Sequence, residues 1–207
     1  AILLISKDNY NATVIFCLFA FLFDFVDGFL ARLLNTESGI GRQLDSFSDF
    51  ITSGVVPGFV MYKLLIKSGL SEKLIISNLL NLNFYFSPIS LLGFLITIAT
   101  AFRLSKFNLT KNEHKYFQGL PAPANCCMII GLPFMFDFLG EKYLNHNLLF
   151  TITIFSIYML NSKTKLISLK NINILIVLLL FCLTASLVVL TNFAILTVFI
   201  FMYMLGS

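Results

Sequence analysis

The chain of 207 residues is 58% hydrophobic and only 12% charged, and its formal net charge is +4. Soluble globular domains carry about 25% charged residues, so this composition excludes a soluble fold. The small positive charge is not gathered into a basic segment with interleaved aromatic residues, which argues against a nucleic-acid partner.

Apolar runs of about 18 residues or more recur along the chain and predict an all-α, polytopic transmembrane helical bundle. A membrane β-barrel would need alternating segments of about ten residues, and these runs do not alternate. Residues 1–5 resemble the end of an earlier span, so we expect about seven to eight spans with the first one truncated. The complete spans are predicted at about 10–31, 43–66, 88–106, 121–139, 147–161, 171–190 and 192–205.

These spans predict a single integral-membrane domain over residues 1–207, with a catalytic core at about 10–140 and additional C-terminal spans at about 147–205. The segment 70–84 is too short to cross a bilayer and is predicted to be a loop or an interfacial helix. The 14 basic residues divide nine against five between the two sides. The positive-inside rule therefore puts the connection near residues 33–41 and the connection 103–120 on the cytoplasmic side.

Four of the ten acidic residues fall in one window, in the pattern D-x2-D-G-x2-A-R-x8-G-x3-D-x3-D. Asp24 and Asp27 are three residues apart near the end of one predicted helix, and Asp45 and Asp49 are four apart near the start of the next. Both spacings place a pair on one helix face. A short connection makes the two helices antiparallel neighbours. We therefore expect the four carboxylates to converge in one pocket near the membrane surface.

Carboxylates at membrane depth are costly and usually bind an ion or take part in chemistry. Oxygen ligands favour hard divalent ions such as Mg²⁺, Mn²⁺ or Ca²⁺, and the absence of His and Cys from the window argues against zinc. Two ions bridged by shared carboxylates would clamp a phosphate or diphosphate. Gly28 would let a bulky ligand approach the helix, and the planar fork of Arg32 suits phosphate oxygens.

Two other interpretations of the aspartates stay open. They would form a structural cluster if Arg32 and Arg42 paired with them at the membrane edge. They would line an ion path if the protein were a cation transporter or channel, although the carboxylates gather at one face of the membrane.

The window resembles the signature of the CDP-alcohol phosphotransferases, membrane enzymes that exchange CMP for an alcohol on a CDP-linked lipid. The resemblance implies that Asp24, Asp27 and Asp45 hold a metal pair, and that Asp49 is both a ligand and the base that activates the acceptor hydroxyl. It also implies that Gly28, Ala31, Arg32 and Gly41 contribute to binding the CDP diphosphate, and that a homodimer is plausible. All eight signature positions are present: Asp24, Asp27, Gly28, Ala31, Arg32, Gly41, Asp45 and Asp49.

Three further stretches resemble the phosphatidylserine synthase subfamily. Residues 50–58 are similar to its D-x3-(F/S)-G-V-x-P segment, and residues 103–108 and 116–124 to its R-L-x-(R/K)-F-N and F-x-G-L-P-x-P-A segments. The resemblance implies a phosphatidyl transfer from CDP-diacylglycerol to L-serine with Mg²⁺ or Mn²⁺. Glycerol 3-phosphate or inositol remains an alternative acceptor. The candidates for binding the acceptor or the lipid phosphate are Arg103, Lys106, Asn108 and Gln118.

The remaining expectations concern location and single residues. Arg103 and Lys106 would instead be ordinary loop cations if they only met anionic headgroups. We expect a multi-pass protein of the plasma membrane with its active site on the cytoplasmic face. Pro57 is expected to kink its span, with shaping of the pocket as the alternative. Because they lack metal or redox spacing, four cysteines are predicted to be buried, inert thiols: Cys17, Cys126, Cys127 and Cys182.

Overall fold

The computed structural model describes residues 1–34, 38–69, 74–76, 84–86, 89–109, 119–140, 143–162, 193–194, 196–198 and 200. Its α-helices are α1 (Ile2–Ser6), α2 (Tyr10–Leu33), α3 (Gly39–Phe50), α4 (Val56–Lys67), α5 (Leu95–Leu109), α6 (Ala122–Leu139) and α7 (His146–Asn161). A π-helical turn, Ile51–Val55, joins α3 to α4 without a break, and a 3₁₀ segment, Ile89–Phe94, leads into α5.

Four helical stretches of the described chain are long and apolar enough to cross a membrane: Tyr10–Ala31, Gly39–Lys67, Ile89–Leu109 and Ala122–Leu139. They confirm the prediction of a helical membrane protein. The helix α7 falls on the predicted span 147–161 and has 16 residues. The predicted spans 171–190 and, for the most part, 192–205 lie outside the described residues, so the total of seven to eight stays a prediction.

The segment 70–84 was predicted to be a loop or an interfacial helix, and the structure differs from both. The structure has a short strand pair there, with β1 (Leu74–Ile76) antiparallel to β2 (Phe84–Phe86) and Ile75 opposite Tyr85. Both strands consist of β-branched, leucine and aromatic residues, which fit a pleated surface better than a helix. The pair forms a hairpin between α4 and α5 and leaves the helical class unchanged.

The core lies between α4 and α6. Met61 and Leu65 of α4 and Ile129 and Leu132 of α6 are completely buried. Helix association in a bilayer depends on close packing more than on water exclusion. Gly93 of the 3₁₀ segment illustrates this, because a Cβ there would lie 2.6 Å from the backbone nitrogen of Tyr62. The missing side chain therefore lets the segment lie directly on the α4 backbone.

The helix α2 is the least buried of the four candidate spans in the described chain: 11% of its apolar window is buried, against 61% for α6. One of its links to the core is the contact between the thiols of Cys17 on α2 and Cys126 on α6. Both thiols are free and buried, as predicted, whereas Cys127 is half-buried and Cys182 lies outside the described residues. The thiol contact fixes α2 two helical turns before its first aspartate.

Candidate active site

Two helices supply the four aspartates of the signature window. The second half of α2 carries Asp24 and Asp27, three residues apart and therefore on one face. The next helix, α3, starts from a side-chain cap, because Ser38 Oγ accepts a hydrogen bond of 3.0 Å from the backbone nitrogen of Gly41. This cap begins α3 immediately after the short connection, so Asp45 returns to the level of the α2 aspartates.

Three carboxylates meet at this level. One oxygen from each of Asp24, Asp27 and Asp45 lies within 4.8 Å of the other two. Asp24 is half-buried, while Asp27 and Asp45 are exposed, so the cluster opens at the edge of the described helices. The carboxyl groups of Asp24 and Asp45 are near enough to share a hydrogen bond. Like charges this close repel each other, and a cation between them would remove the repulsion.

Asp49 stands beside this cluster and is not part of its inner group. Its carboxylate is half-buried and interacts electrostatically with those of Asp24, Asp27 and Asp45. It lies one turn beyond Asp45 on α3, on the same face. The arrangement therefore has three converging oxygens and a fourth carboxylate at their side.

The three oxygens fit a hard divalent cation. Metal–oxygen distances of about 2.1 Å for Mg²⁺ and about 2.4 Å for Ca²⁺ put ligand oxygens roughly 3 to 5 Å apart around one ion. The three aspartate oxygens, all within 4.8 Å, already satisfy that separation. The donor set contains only oxygen, which these ions and Mn²⁺ prefer to softer ligands.

The small residues of the window have two different surroundings. A Cβ added at Gly28 would meet no atom within 4 Å, so the α2 surface there faces open space among the described residues. A Cβ at Gly41 would lie 3.0 Å from Ser38 Oγ and would press on the α3 cap. Ala31 is half-buried on α2, and the side chain of Arg32 lies outside the described part of the structure, as does that of Arg42.

The end of α5 approaches the aspartates through Asn108. Its amide nitrogen donates to Ser46 Oγ at 3.0 Å, and the Ser46 hydroxyl lies 3.2 Å from Asn108 Oδ1. Ser46 follows Asp45 directly on α3. The candidate acceptor-binding stretch and the aspartate helix are therefore joined by a side-chain pair 62 residues apart in sequence.

The other acceptor candidates are placed differently. Arg103 is half-buried, and its Nη1 donates to the carbonyl of Leu160 at 2.8 Å, near the end of α7. Lys106 is exposed on α5 and lines a groove of about 430 Å³ between α5 and α7, together with Phe102 and Asn161. Gln118 lies outside the described residues. The guanidinium of Arg103 thus holds a helix end, a contact that the sequence did not indicate.

The chain matches a known protein family over almost its whole length. A family model described as CDP-alcohol phosphatidyltransferase matches residues 1–203. The chain belongs to the CDP-alcohol phosphatidyltransferase family. It is 34% identical over 125 residues to the CDP-diacylglycerol–serine O-phosphatidyltransferase of Bacillus subtilis, covering 59% of this chain and 60% of that protein. It is 28% identical over 128 residues to the Saccharomyces cerevisiae protein of the same name, covering 58% and 40%.

An archaeal member of the family is also similar. The archaetidylserine synthase of Methanothermobacter thermautotrophicus is 34% identical over 125 residues, covering 59% of this chain and 46% of that protein. The matched segment thus spans about half the length of these three relatives. The resemblance to the CDP-alcohol phosphotransferases, inferred from the aspartate window, is confirmed at the level of the family.

The sequence did not indicate Ser46 as part of the site. It also did not indicate that Thr97 and Cys126 contact the π-helical turn. Thr97 Oγ1 donates to Gly54 O at 2.9 Å, and Cys126 Sγ donates to Thr52 O at 3.3 Å. These partners lie 43 and 74 residues apart in sequence. The one local signal was Pro57, which removes a backbone donor just after the turn.

Proposed function

We propose that this protein transfers the phosphatidyl group of CDP-diacylglycerol to the hydroxyl of L-serine, giving phosphatidylserine and CMP. The observation that carries the proposal is the convergence of Asp24, Asp27 and Asp45 within 4.8 Å, with Asp49 beside them, in a chain of this family. The printed names of the bacterial, yeast and archaeal relatives support serine as the acceptor. Glycerol 3-phosphate and inositol are the acceptors against which serine is tested.

The chain's own residues divide the work. Asp24, Asp27 and Asp45 would hold the divalent ions, Mg²⁺ or Mn²⁺ and two in number on the family's pattern, and Asp49 would be a further ligand. When bound, the ions neutralise the diphosphate and stabilise the charge on departing CMP. The open surface at Gly28, with Ala31, Arg32 and Gly41, accommodates the diphosphate.

Asp49 also acts as the general base. Its carboxylate takes the proton of the serine hydroxyl as that oxygen forms a bond to the β-phosphorus, and the bond from this phosphorus to the CMP oxygen breaks. The half-buried position of Asp49 suits this role, since a base shielded from bulk water keeps its acceptor site for the substrate. CMP leaves with the electron pair of the broken bond.

The acceptor enters from the side of α5. Asn108 is hydrogen-bonded to Ser46, next to Asp45, which brings the end of α5 to the cluster. We propose that Asn108, Lys106 and Gln118 contribute to serine or lipid-phosphate recognition. Arg103, one helical turn before Lys106 on α5, contributes to the same recognition. We also propose that the cluster faces the cytoplasm from the plasma membrane and that the protein is a homodimer.

The experiment that tests the function uses the purified full chain in mixed micelles with CDP-diacylglycerol. CMP release is measured with L-serine, glycerol 3-phosphate, inositol or no acceptor, each with Mn²⁺ or EDTA. We expect release that depends on serine and on the metal. Release with another alcohol would discard serine and keep the reaction class, while ion flux through liposomes without CMP release would support a transporter.

Asp49→Asn tests the base. The amide keeps the size of the side chain but cannot accept the proton, and general-base catalysis contributes about 10²–10⁴-fold, so CMP release should fall by at least about 100-fold. Asp137→Asn is the matched control, because Asp137 is an exposed aspartate near the end of α6 and outside the cluster. Equal activity of the two variants would remove Asp49 from the mechanism.

A further inference from the structure

The π-helical turn directly after Asp49 has an unusual hydrogen-bond pattern. The backbone nitrogen of Val56 donates to Ile51 O, five residues back, in place of the α-helical four. Pro57 follows and has no N–H, so it cannot donate to Thr52 O in the π register or to Ser53 O in the α register. The turn therefore leaves carbonyl groups that need partners from elsewhere, inside a predicted membrane span.

Side chains of two neighbouring helices donate to carbonyls of this turn, one of them to the Thr52 O that Pro57 leaves without a backbone donor. Thr97 of α5 donates its hydroxyl to Gly54 O at 2.9 Å, and Cys126 of α6 donates its thiol to Thr52 O at 3.3 Å. Gly58 makes the first contact possible, because a Cβ at that position would overlap the Thr97 hydroxyl. The widened turn is thus held by its neighbours.

The turn sets the rotation of the aspartate helix. An α-helix rotates about 100° per residue, so one extra residue in a turn changes by that angle which way the preceding side chains face. On the far side, α4 is locked into the core through Val60 and Leu64, which are buried. If the π turn relaxed to an α-helix, the rotation would fall on α3, and Asp45 and Asp49 would turn away from α2.

We propose that Thr97 is a positioning residue for the aspartate cluster: by holding Gly54 O it maintains the π turn, and the π turn keeps Asp45 and Asp49 facing Asp24 and Asp27. The inference rests on the metal site of the proposed function. It does not depend on which alcohol, if any, is the acceptor. The contacts described for Thr97 are with Gly54 and Gly58 and not with the four carboxylates, so its effect on them passes through the helix backbone.

The test is Mn²⁺ binding by the purified full chain, measured by electron paramagnetic resonance of free Mn²⁺. Thr97→Val removes the hydroxyl at nearly constant shape, and Thr97→Ser keeps it. Thr100→Val is the matched control, since Thr100 lies one turn further along α5 and donates to Ile96 O of its own helix. Residues that orient metal ligands typically change affinity by about 10–100-fold, so Thr97→Val should bind Mn²⁺ at least about tenfold more weakly. Thr97→Ser and Thr100→Val should match the unsubstituted protein.

A second variant covers the case in which Thr97→Val does not fold. Gly58→Ala pushes the Thr97 hydroxyl away from Gly54 O while Thr97 stays in place, so it should weaken Mn²⁺ binding in the same way. Thermal midpoints and gel-filtration profiles of all variants check the fold.

The outcomes separate this inference from the proposed function. Equal Mn²⁺ affinity of Thr97→Val and Thr100→Val would overturn the inference, even in an active transferase. Absence of Mn²⁺ binding by the unsubstituted protein would overturn it too, because no site would then need positioning. Weakened binding in Thr97→Val would support it, including in a protein that releases no CMP, and only the transferase function would then fail.

Discussion

Replacing Asp45 by Asn should stabilise the metal-free protein, a direction opposite to that of most substitutions. The three clustered oxygens lie within 4.8 Å of one another. At that separation two unit charges repel by about 0.9 kcal/mol in a water-like dielectric and by about 3.5 kcal/mol at an effective value of 20. Because Asp27 and Asp45 are exposed, the lower value applies. With all three carboxylates ionised, Asp45→Asn removes two of the three repulsive pairs, about 0.9 kcal/mol each and about 2 kcal/mol together.

The assay is thermal unfolding in detergent at one scan rate, at an alkaline pH where all three carboxylates are ionised, with EDTA or with excess Mn²⁺. About 2 kcal/mol corresponds to a rise of roughly 4–8 °C in the EDTA midpoint for a chain of this size. Mn²⁺ at 100 times its Kd would stabilise the unsubstituted protein by about 2.7 kcal/mol, and Asp45→Asn should lose most of that gain. The advantage of Asp45→Asn seen in EDTA should therefore shrink or disappear when metal is added. Asp137→Asn should show neither effect.

A fall of the EDTA midpoint in Asp45→Asn would refute this reasoning. It would mean that Asp45 makes a favourable ion pair in the metal-free protein, as expected if the cluster is structural and Arg32 or Arg42 neutralises it. The salt dependence gives a second check, because repulsion between exposed charges is screened within about 3 Å at 1 M salt. The advantage of Asp45→Asn in EDTA should therefore shrink as salt is added.

Two further predictions concern small and buried residues. Gly28→Ala meets no atom within 4 Å, and alanine favours a helix by about 1 kcal/mol, so the variant should melt no lower than the unsubstituted protein while its KM for CDP-diacylglycerol rises. Gly93→Ala is the contrast, because its Cβ would lie 2.6 Å from Tyr62 N and should lower the thermal midpoint. Ser156→Ala removes the 2.6 Å hydrogen bond to the buried Oδ1 of Asn125, whose Nδ2 has no partner among the described residues. The loss should cost about 1–3 kcal/mol, and unchanged unfolding would mean that another group satisfies the amide.

The aspartate cluster could be anticipated from the sequence because its geometry is local. Spacings of three and four residues on two helices joined by a short connection are enough to bring Asp24, Asp27 and Asp45 together. The contact of Asn108 with Ser46 could not be anticipated in the same way, since it depends on how α5 crosses α3. The strands around Ile75 and Tyr85 were missed because a short apolar run of β-branched and aromatic residues does not distinguish helix from strand.

Pro57 shows where local reading stops being sufficient. The sequence predicts that proline disturbs its span, and a kink is the usual form of that disturbance. The structure has a π turn with its carbonyls held by Thr97 and Cys126, and neither residue is near Pro57 in the sequence. A proline specifies only which N–H is missing. What the carbonyls of the turn bind is decided by the helices that pack against them.

The same packing explains how a polar cluster is held beside an apolar core. The buried side chains that fix α4 lie beyond the π turn, and α2 is tied to α6 by the thiols of Cys17 and Cys126, two turns before Asp24. Cys126 contacts both elements, because its Sγ lies next to the Cys17 thiol and its S–H donates to Thr52 O. Through these two contacts, one residue of α6 helps to align α2 with the turn that follows α3. The cluster itself contributes repulsion in the absence of metal, and so its geometry has to be imposed by these contacts.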